Sequence, residues 1–288
     1  GTIGKWLKLD EYDQKAMIMC GMSAAFSALF GTPLTAAIFA MEVISIGIME
    51  YAALVPCAIS ALIAREIAEM VGAHGEHFTV PASVNFDLKN GALIVLLALL
   101  CAGVSILFCE ILHRTERFFK TKIENAWLRA VVGGVLIIAL TKLLHTTDYL
   151  GTGMNIVEKA ISGETAPEAF LLKMIFTAIT LSCGFKGGEI VPTLFVGATF
   201  GCLFGQITGI SPSLTAACGM AAVFCGVTNA PISSLLLSFE LFGFDCMSFF
   251  LIAVSVGYLE SGYFGLYHSQ KIMYSKTKLQ FINEKTKE

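Results

Sequence analysis

From Ile190 to Phe239 the chain carries no Asp, Glu, Lys or Arg, and Pro192, Pro212 and Pro231 cut that run into pieces. A helix crossing a bilayer needs about 20 mostly apolar residues, so most of these pieces are too short to cross perpendicularly. Broken helices at membrane depth survive only where their free backbone groups are buried in protein or line a cavity. Composition places the chain in a membrane: 56% of its 288 residues are hydrophobic and only 14% charged, against about 25% charged in a soluble domain. Disorder, a coiled coil and a collagen-like chain are excluded. The net charge of −3 supplies no electrostatic footprint for nucleic acid.

Further apolar segments are Gly91 to Cys109, uncharged and unbroken, and Ala16 to Met41, which Gly31-Thr32-Pro33 divides in two. Val43 to Ala64 is interrupted by Glu50 and Pro56. Trp127 to Thr141, Ala169 to Phe185 and Cys246 to Leu259 complete the set. Three polar stretches read as loops: His74 to Asn90, Glu110 to Asn125 (the solvated end of a helix) and Thr146 to Glu168. After Tyr267 the chain turns polar and basic, with Lys271, Lys276, Lys278, Lys285 and Lys287. The positive-inside bias puts this tail in the cytoplasm.

The nine cysteines form no CxxC pair and read as small hydrophobes. His74 and His77 lack a second ligand cluster, so no metal site is expected. No signal peptide is present. The chain starts at Gly1 rather than Met, in what already reads as a helix, which is the look of a truncated beginning.

Two distant segments match in spacing. Phe26-Ser-Ala-Leu-Phe-Gly-Thr-Pro33 and Phe224-Cys-Gly-Val-Thr-Asn-Ala-Pro231 both place Pro seven residues after Phe, and Glu42 and Glu240 both follow nine residues after their Pro. Upstream, Thr2-Ile3-Gly4 resembles Thr199-Phe200-Gly201. Duplication explains these intervals better than chance. Such repeats belong to transporters whose halves pack around a shared midplane site. Three regions follow: residues 1–145 hold the rest of a first inverted repeat and the start of a second, 146–266 hold the second-repeat helices, and 267–288 a last helix and the basic tail.

The chemistry centres on Cys183-Gly-Phe-Lys-Gly-Gly-Glu-Ile-Val-Pro192, opening the segment 184–201. Gly187 and Gly188 allow a tight turn, and Pro192 suits the first turn of the helix that follows. Free N–H groups there, with the positive end of the helix dipole, make an anion site without a side-chain cation. A soluble P-loop would need Lys-Ser/Thr after its glycines, which is absent.

This stretch resembles the Gly-Gly-x-x-x-Pro motif of the CLC family of chloride channels and anion/proton antiporters. Gly226-Val-Thr-Asn-Ala-Pro231 followed by Glu240 resembles a later motif of that family, and Phe26 to Glu42 its first-half counterpart. Tyr149-Leu-Gly-Thr-Gly153 and Leu171-Leu-Lys173 have similar contexts. The resemblance implies an all-α polytopic membrane fold, an antiparallel inverted repeat with broken helices meeting at a midplane anion site, and a homodimer with one pore per subunit in the lipid bilayer. It implies that Gly187, Gly188, Glu189, Ile190 and Val191 bind the anion, chiefly through the amides of Glu189 and Ile190. Tyr267 matches a tyrosine whose hydroxyl faces the central anion; an interfacial aromatic anchor is its other reading. Glu42 and Glu240 match structural helix-end carboxylates. The gating-glutamate motif of the family would fall just upstream of Gly1.

Two departures matter. Val43 stands where antiporters of the family often keep a proton-transfer glutamate. Glu189 stands where chloride-type members have an apolar residue; the fluoride/proton branch resembles this chain in its Gly-Gly-Glu, though Val191 replaces the Thr of that branch. A carboxylate at this depth defaults to a functional role, here proton transfer, and pairing with Lys186 at a wet vestibule is the alternative. The motifs Gly-x-Ser-x-Gly and His-Glu-x-x-His are absent and no His lies in the core of an apolar segment, so an enzyme is not expected, nor any cofactor beyond the transported anion and protons. The expectation is anion transport with chloride as the default ion and fluoride/proton antiport as the alternative. A transport-inactive fragment or partner subunit is the competing class.

Overall fold

The computed structural model describes residues 2–75, 77–80, 84–267 and 269–287; Gly1, where the helical beginning was expected, lies outside them. The first helices are α1 (Thr2–Trp6), α2 (Glu11–Phe30), α3 (Pro33–Glu42) and α4 (Leu54–Met70). Next come α5 (Leu88–Lys122), α6 (Ala126–Leu144), α7 (Met154–Ile161) and α8 (Ala169–Ser182). The last four are α9 (Ile190–Thr208), α10 (Pro212–Thr228), α11 (Pro231–Phe242) and α12 (Met247–Glu260). Among the described residues, four stretches are long and apolar enough to cross a membrane: Tyr51–Met70, α5, α6 and α9. The apolar helices α3, α8, α10, α11 and α12 are shorter.

Sequence punctuation accounts for most boundaries. Pro33 and Pro231 stand at the first helical position of α3 and α11, where a missing N–H costs nothing. Gly31 ends α2 in the left-handed region at φ 71°, which glycine enters without a Cβ penalty. Pro56, expected to break its segment, lies inside the first turn of α4. There its absent N–H would have had no intrahelical acceptor, so the helix runs through it.

Two other expectations are corrected. The stretch Thr146 to Glu168 is not all loop, because α7 forms within it. Ile156, Val157, Ala160 and Ile161 are buried on one side of α7 while Glu158 and Lys159 stay exposed. The expected last helix from Tyr267 is replaced by β2 (Lys271–Tyr274) and β3 (Phe281–Lys285), which join β1 (Ser45–Ile46) in a three-stranded sheet of order β1-β2-β3. Strand β1 runs parallel to β2, and β2 antiparallel to β3. The register pairs Ile46 with Ile272, both fully buried. Burial of Ile272 between less buried neighbours, exposed Lys271 and half-buried Met273, follows the period-2 pattern of a strand rather than a helical stripe. Asn283, at φ 48°, accompanies the register shift between β2 and β3, as a β-bulge does. The polar stretch from Glu110 is the solvated end of α5, laced by Glu110–Arg114 and Glu116–Lys120 pairs at i,i+4 spacing.

The chain divides into two compact units. The first comprises Gly1–Thr79, Asn229–Met247 and Tyr267–Thr286; the second comprises Val80–Thr228, Ser248–Leu266 and Lys287–Glu288. In the first, Met19, Ala37, Ala40, Met41, Ala53 and Cys57 form a buried cluster. Ser23 and Ser27 of α2 donate to the carbonyls of Cys57 and Ala61 in α4, at 2.9 and 2.8 Å, the hydroxyl-to-backbone bonding that joins helices where water is excluded. In the second unit α9 and α10 pack backbone to backbone through Gly197, Gly201 and Gly219.

Candidate functional site

The Gly-rich segment ends in the first turn of α9. Cys183 closes α8, and the turn out of it is made by Gly184 at φ 95°. Gly187 and Gly188 have negative-side φ values, so they are not the tight-turn residues expected. What they supply is the absence of side chains: nothing lies within 4 Å of a Cβ built on Gly188, and one on Gly187 meets only Leu181 Cδ2 at 3.2 Å. The approach to the helix start is thus open. Glu189 is the N-cap residue at φ −93°, ψ −25°, and its side chain makes no cap bond to its own helix. The first intrahelical bond runs from Thr193 N–H to the Glu189 carbonyl at 3.3 Å. Pro192 has no N–H to offer, and the N–H groups of Ile190 and Val191 have no acceptor among the described residues. Residues Gly187, Gly188 and Glu189 are exposed and Ile190 and Val191 half-buried. Two unpaired amides at the positive end of a 19-residue helix suit a small anion.

Glu42 and Glu240 lie together in the first unit and cap each other's helices. Glu42, last residue of α3, accepts from Ile232 N (3.0 Å), Ser233 N (2.8 Å) and Ser233 Oγ (2.5 Å) in the first turn of α11. Glu240, in α11, accepts from Leu34 N (3.0 Å), Thr35 N (2.7 Å) and Thr35 Oγ1 (2.5 Å) in the first turn of α3. The exchange requires α3 and α11 to lie side by side and antiparallel. Their entries match as well: the N-cap residues Thr32 and Ala230 sit at φ −115°, ψ 76° and φ −118°, ψ 76°. The preceding Gly31 and Asn229 are both left-handed, at φ 71° and 58°. The repeat read from spacing is therefore a repeat of backbone conformation and of capping chemistry. Neither N-cap side chain bonds its own helix; the distant carboxylate does so instead, with charge-assisted bonds.

Tyr267 also belongs to the first unit and is half-buried. Its carbonyl accepts from Gln270 N–H and Thr286 Oγ1, both at 3.0 Å.

Sequence reasoning marked Lys173 only by its context, without its partners, and passed over Gln270. Lys173 in α8 is 1% exposed. Its ammonium donates to the carbonyls of Gly151 (2.8 Å) and Tyr149 (3.3 Å) and lies 4.9 Å from the centre of the Phe195 ring in α9. It thereby fastens the Tyr149–Gly153 segment to two helices. For Lys173 the available signal was a charge between Leu172 and Met174, which marks a buried group without naming its partner; Gln270 in the tail, between Ser269 and Lys271, carried no such signal.

Comparison with known proteins matches residues 1–262 to the profile described as voltage gated chloride channel. A chloride/fluoride channel protein of Pseudomonas syringae pv. tomato is 34% identical over 275 residues, covering 93% of this chain and 61% of that protein. A voltage-gated ClC-type chloride channel, ClcB, of Escherichia coli is 31% identical, covering 80% of this chain and 57% of the relative. The chain thus spans about three fifths of the length of these relatives. Among solved structures, a CLC-type fluoride/proton antiporter superposes with a TM-score of 0.88 at 30% identity, covering 93% of this chain and 68% of that one. A slow cyanobacterial Cl−/H+ antiporter gives 0.73 at 18% identity, covering 90% and 64%, a likeness of fold. With its polytopic helical fold, its broken apolar helices and its paired Pro-to-Glu repeats, the chain belongs to the voltage gated chloride channel family.

Proposed function

We propose that the protein carries a small inorganic anion across the membrane, as the printed names of its relatives describe for them, with chloride as the default ion. The observation that carries this reading is the start of α9, where the Ile190 and Val191 amides have no acceptor among the described residues and Gly187 and Gly188 leave the approach open. A helix dipole contributes about 0.3–1 kcal/mol to an anion near its first turn. Binding by backbone amides, which needs no side-chain cation, stays weak enough for release, which conduction requires. The resemblance of Tyr267 to the family's anion-facing tyrosine assigns its hydroxyl, in this reading, the part of a donor to the anion. A homodimer with one pore in each subunit and a cytoplasmic basic tail complete this reading.

Fluoride/proton antiport is the second reading, and Glu189 favours it together with the 30% identity to the fluoride/proton antiporter structure. A protonated Glu189 donates a hydrogen bond to the anion and carries a proton with it, whereas an ionised one competes for the same amides. Glu42 does not take that role: its two oxygens accept three bonds from N–H and O–H donors, the state of an anchored carboxylate.

The test is ion flux from proteoliposomes holding the full-length protein, with chloride and fluoride supplied separately and internal pH followed. Chloride movement without proton movement supports the first reading. Fluoride movement that drives protons uphill supports the second, and Glu189→Gln then abolishes the proton movement. Absence of flux with both ions removes the transport reading and leaves a partner subunit.

A further inference from the structure

Gln270 is 2% exposed and joins three segments of the first unit. Its Nε2 donates to the carbonyl of Val43 at 2.7 Å, directly after α3. Its Oε1 accepts from Asn229 Nδ2 at 3.2 Å, in the left-handed residue that leads the chain into α11. Its backbone N–H donates to the Tyr267 carbonyl, and its own carbonyl accepts from Thr286 N–H at 3.3 Å. Asn229, fully buried, accepts in turn from Lys276 Nζ at 2.5 Å. Val43 follows Glu42, whose carboxylate holds the first turn of α11. The carboxamide thus holds residue 270 against the two helix ends that the Glu42 cap joins, and the backbone N–H of the same residue holds the Tyr267 carbonyl. Buried, fully bonded polar networks hold one arrangement because each alternative leaves a group unpaired.

We propose that Gln270 is a positioning residue for anion passage, fixing through the Tyr267 carbonyl where the Tyr267 hydroxyl stands relative to the ends of α3 and α11. The proposal rests on the reading of Tyr267 as an anion-facing tyrosine. It extends that reading to a residue three positions on, outside every motif singled out in the sequence. The geometry also gives the tail beyond Tyr267 a part in transport, since Thr286 and Lys276 hold the same network from the sheet side.

The experiment is a double-mutant cycle in the full-length protein, with Gln270→Met, Tyr267→Phe and their combination. Apparent KM, maximal rate and chloride-to-fluoride preference are read in proteoliposomes, and elution profile and melting temperature control for folding. The expected result is a change of about three- to tenfold in KM or ion preference for Gln270→Met, with the double variant no worse than the more severe single one, as coupled residues behave. Fold-changes that multiply overturn the proposal, because Gln270 then acts elsewhere. Should Gln270→Met not fold, Thr286→Val removes one bond from the same carbonyl; a shift of about twofold in the same quantities supports the proposal, and none overturns it. Tyr267→Phe without effect on KM or preference, in a protein that still moves anions, removes this proposal and leaves the transport reading standing. Absence of flux in the unmodified protein removes both.

Discussion

At the scale of single residues, the two capping carboxylates perform the same task in different surroundings. Glu42 is 7% exposed and Glu240 half-buried, while each serves a turn with one exposed and one fully buried residue, Ile232 and Ser233 for Glu42, Leu34 and Thr35 for Glu240. Water replaces a lost acceptor more readily beside the second carboxylate than beside the first. Glu42→Gln is therefore expected to lower stability by about 1–3 kcal/mol and Glu240→Gln by about 0.5–1 kcal/mol. Thermal unfolding in detergent gives the order, and equal losses would show that burial does not govern the difference. The Pro-to-Glu interval was legible in the sequence, but its use was not. A residue nine positions after a helix start lies roughly 13 Å along its own axis, so the turn that Glu42 caps had to come from another helix. Lys173 was similarly opaque, because its acceptors are backbone carbonyls, and every residue type carries those.

At the scale of elements, proline and glycine set the helix ends at α2, α3 and α11 as their local chemistry requires, and those boundaries were readable. The turn of α7 was hidden because its eight residues sit within a Gly-rich polar stretch. The tail strands were hidden because a helix and a strand compete closely in a short basic segment, and only the burial of Ile272 beside Ile46 decides for the strand. Packing of α9 on α10 yields a sharp expectation. Gly197 and Gly201 face α10 one turn apart, and a Cβ on Gly197 would stand 2.5 Å from the Gly219 carbonyl oxygen and 2.7 Å from Met220 Cα. Backbone cannot give way as a flexible side chain can. Gly197→Ala and Gly201→Ala should each cost about 1–3 kcal/mol or displace α9. The control Gly188→Ala, with open space at its Cβ, should keep the melting temperature while narrowing the approach to the Ile190 and Val191 amides. A Gly201→Ala protein with unchanged melting temperature and elution would refute the close-packed interface.

At the scale of the whole molecule, the nine cysteines are distributed over both units, and Cys20 alone among them is partly accessible. A bulky maleimide applied to the folded protein should label Cys20 first, with the other eight reacting only after unfolding; peptide mapping of the labelled sites checks this. Rapid labelling of Cys101 or Cys225 would mean that the helices around them open. Composition and the charge-free run were enough to establish a membrane chain, broken helices and an internal repeat, because the bilayer imposes rules that any spanning sequence must obey locally. The uncapped start of α9 was legible for the same reason: glycines before a helix start and a proline in its first turn act through their own backbone. Tertiary structure alone decided which carboxylate caps which helix, what holds Lys173, and that Gln270 ties Tyr267 to the ends of α3 and α11. These are pairings between residues distant in sequence, up to 227 positions apart. A hydrogen-bond donor or acceptor declares in its sequence only that it needs a partner when buried; which partner it finds is settled by the fold that brings the two together.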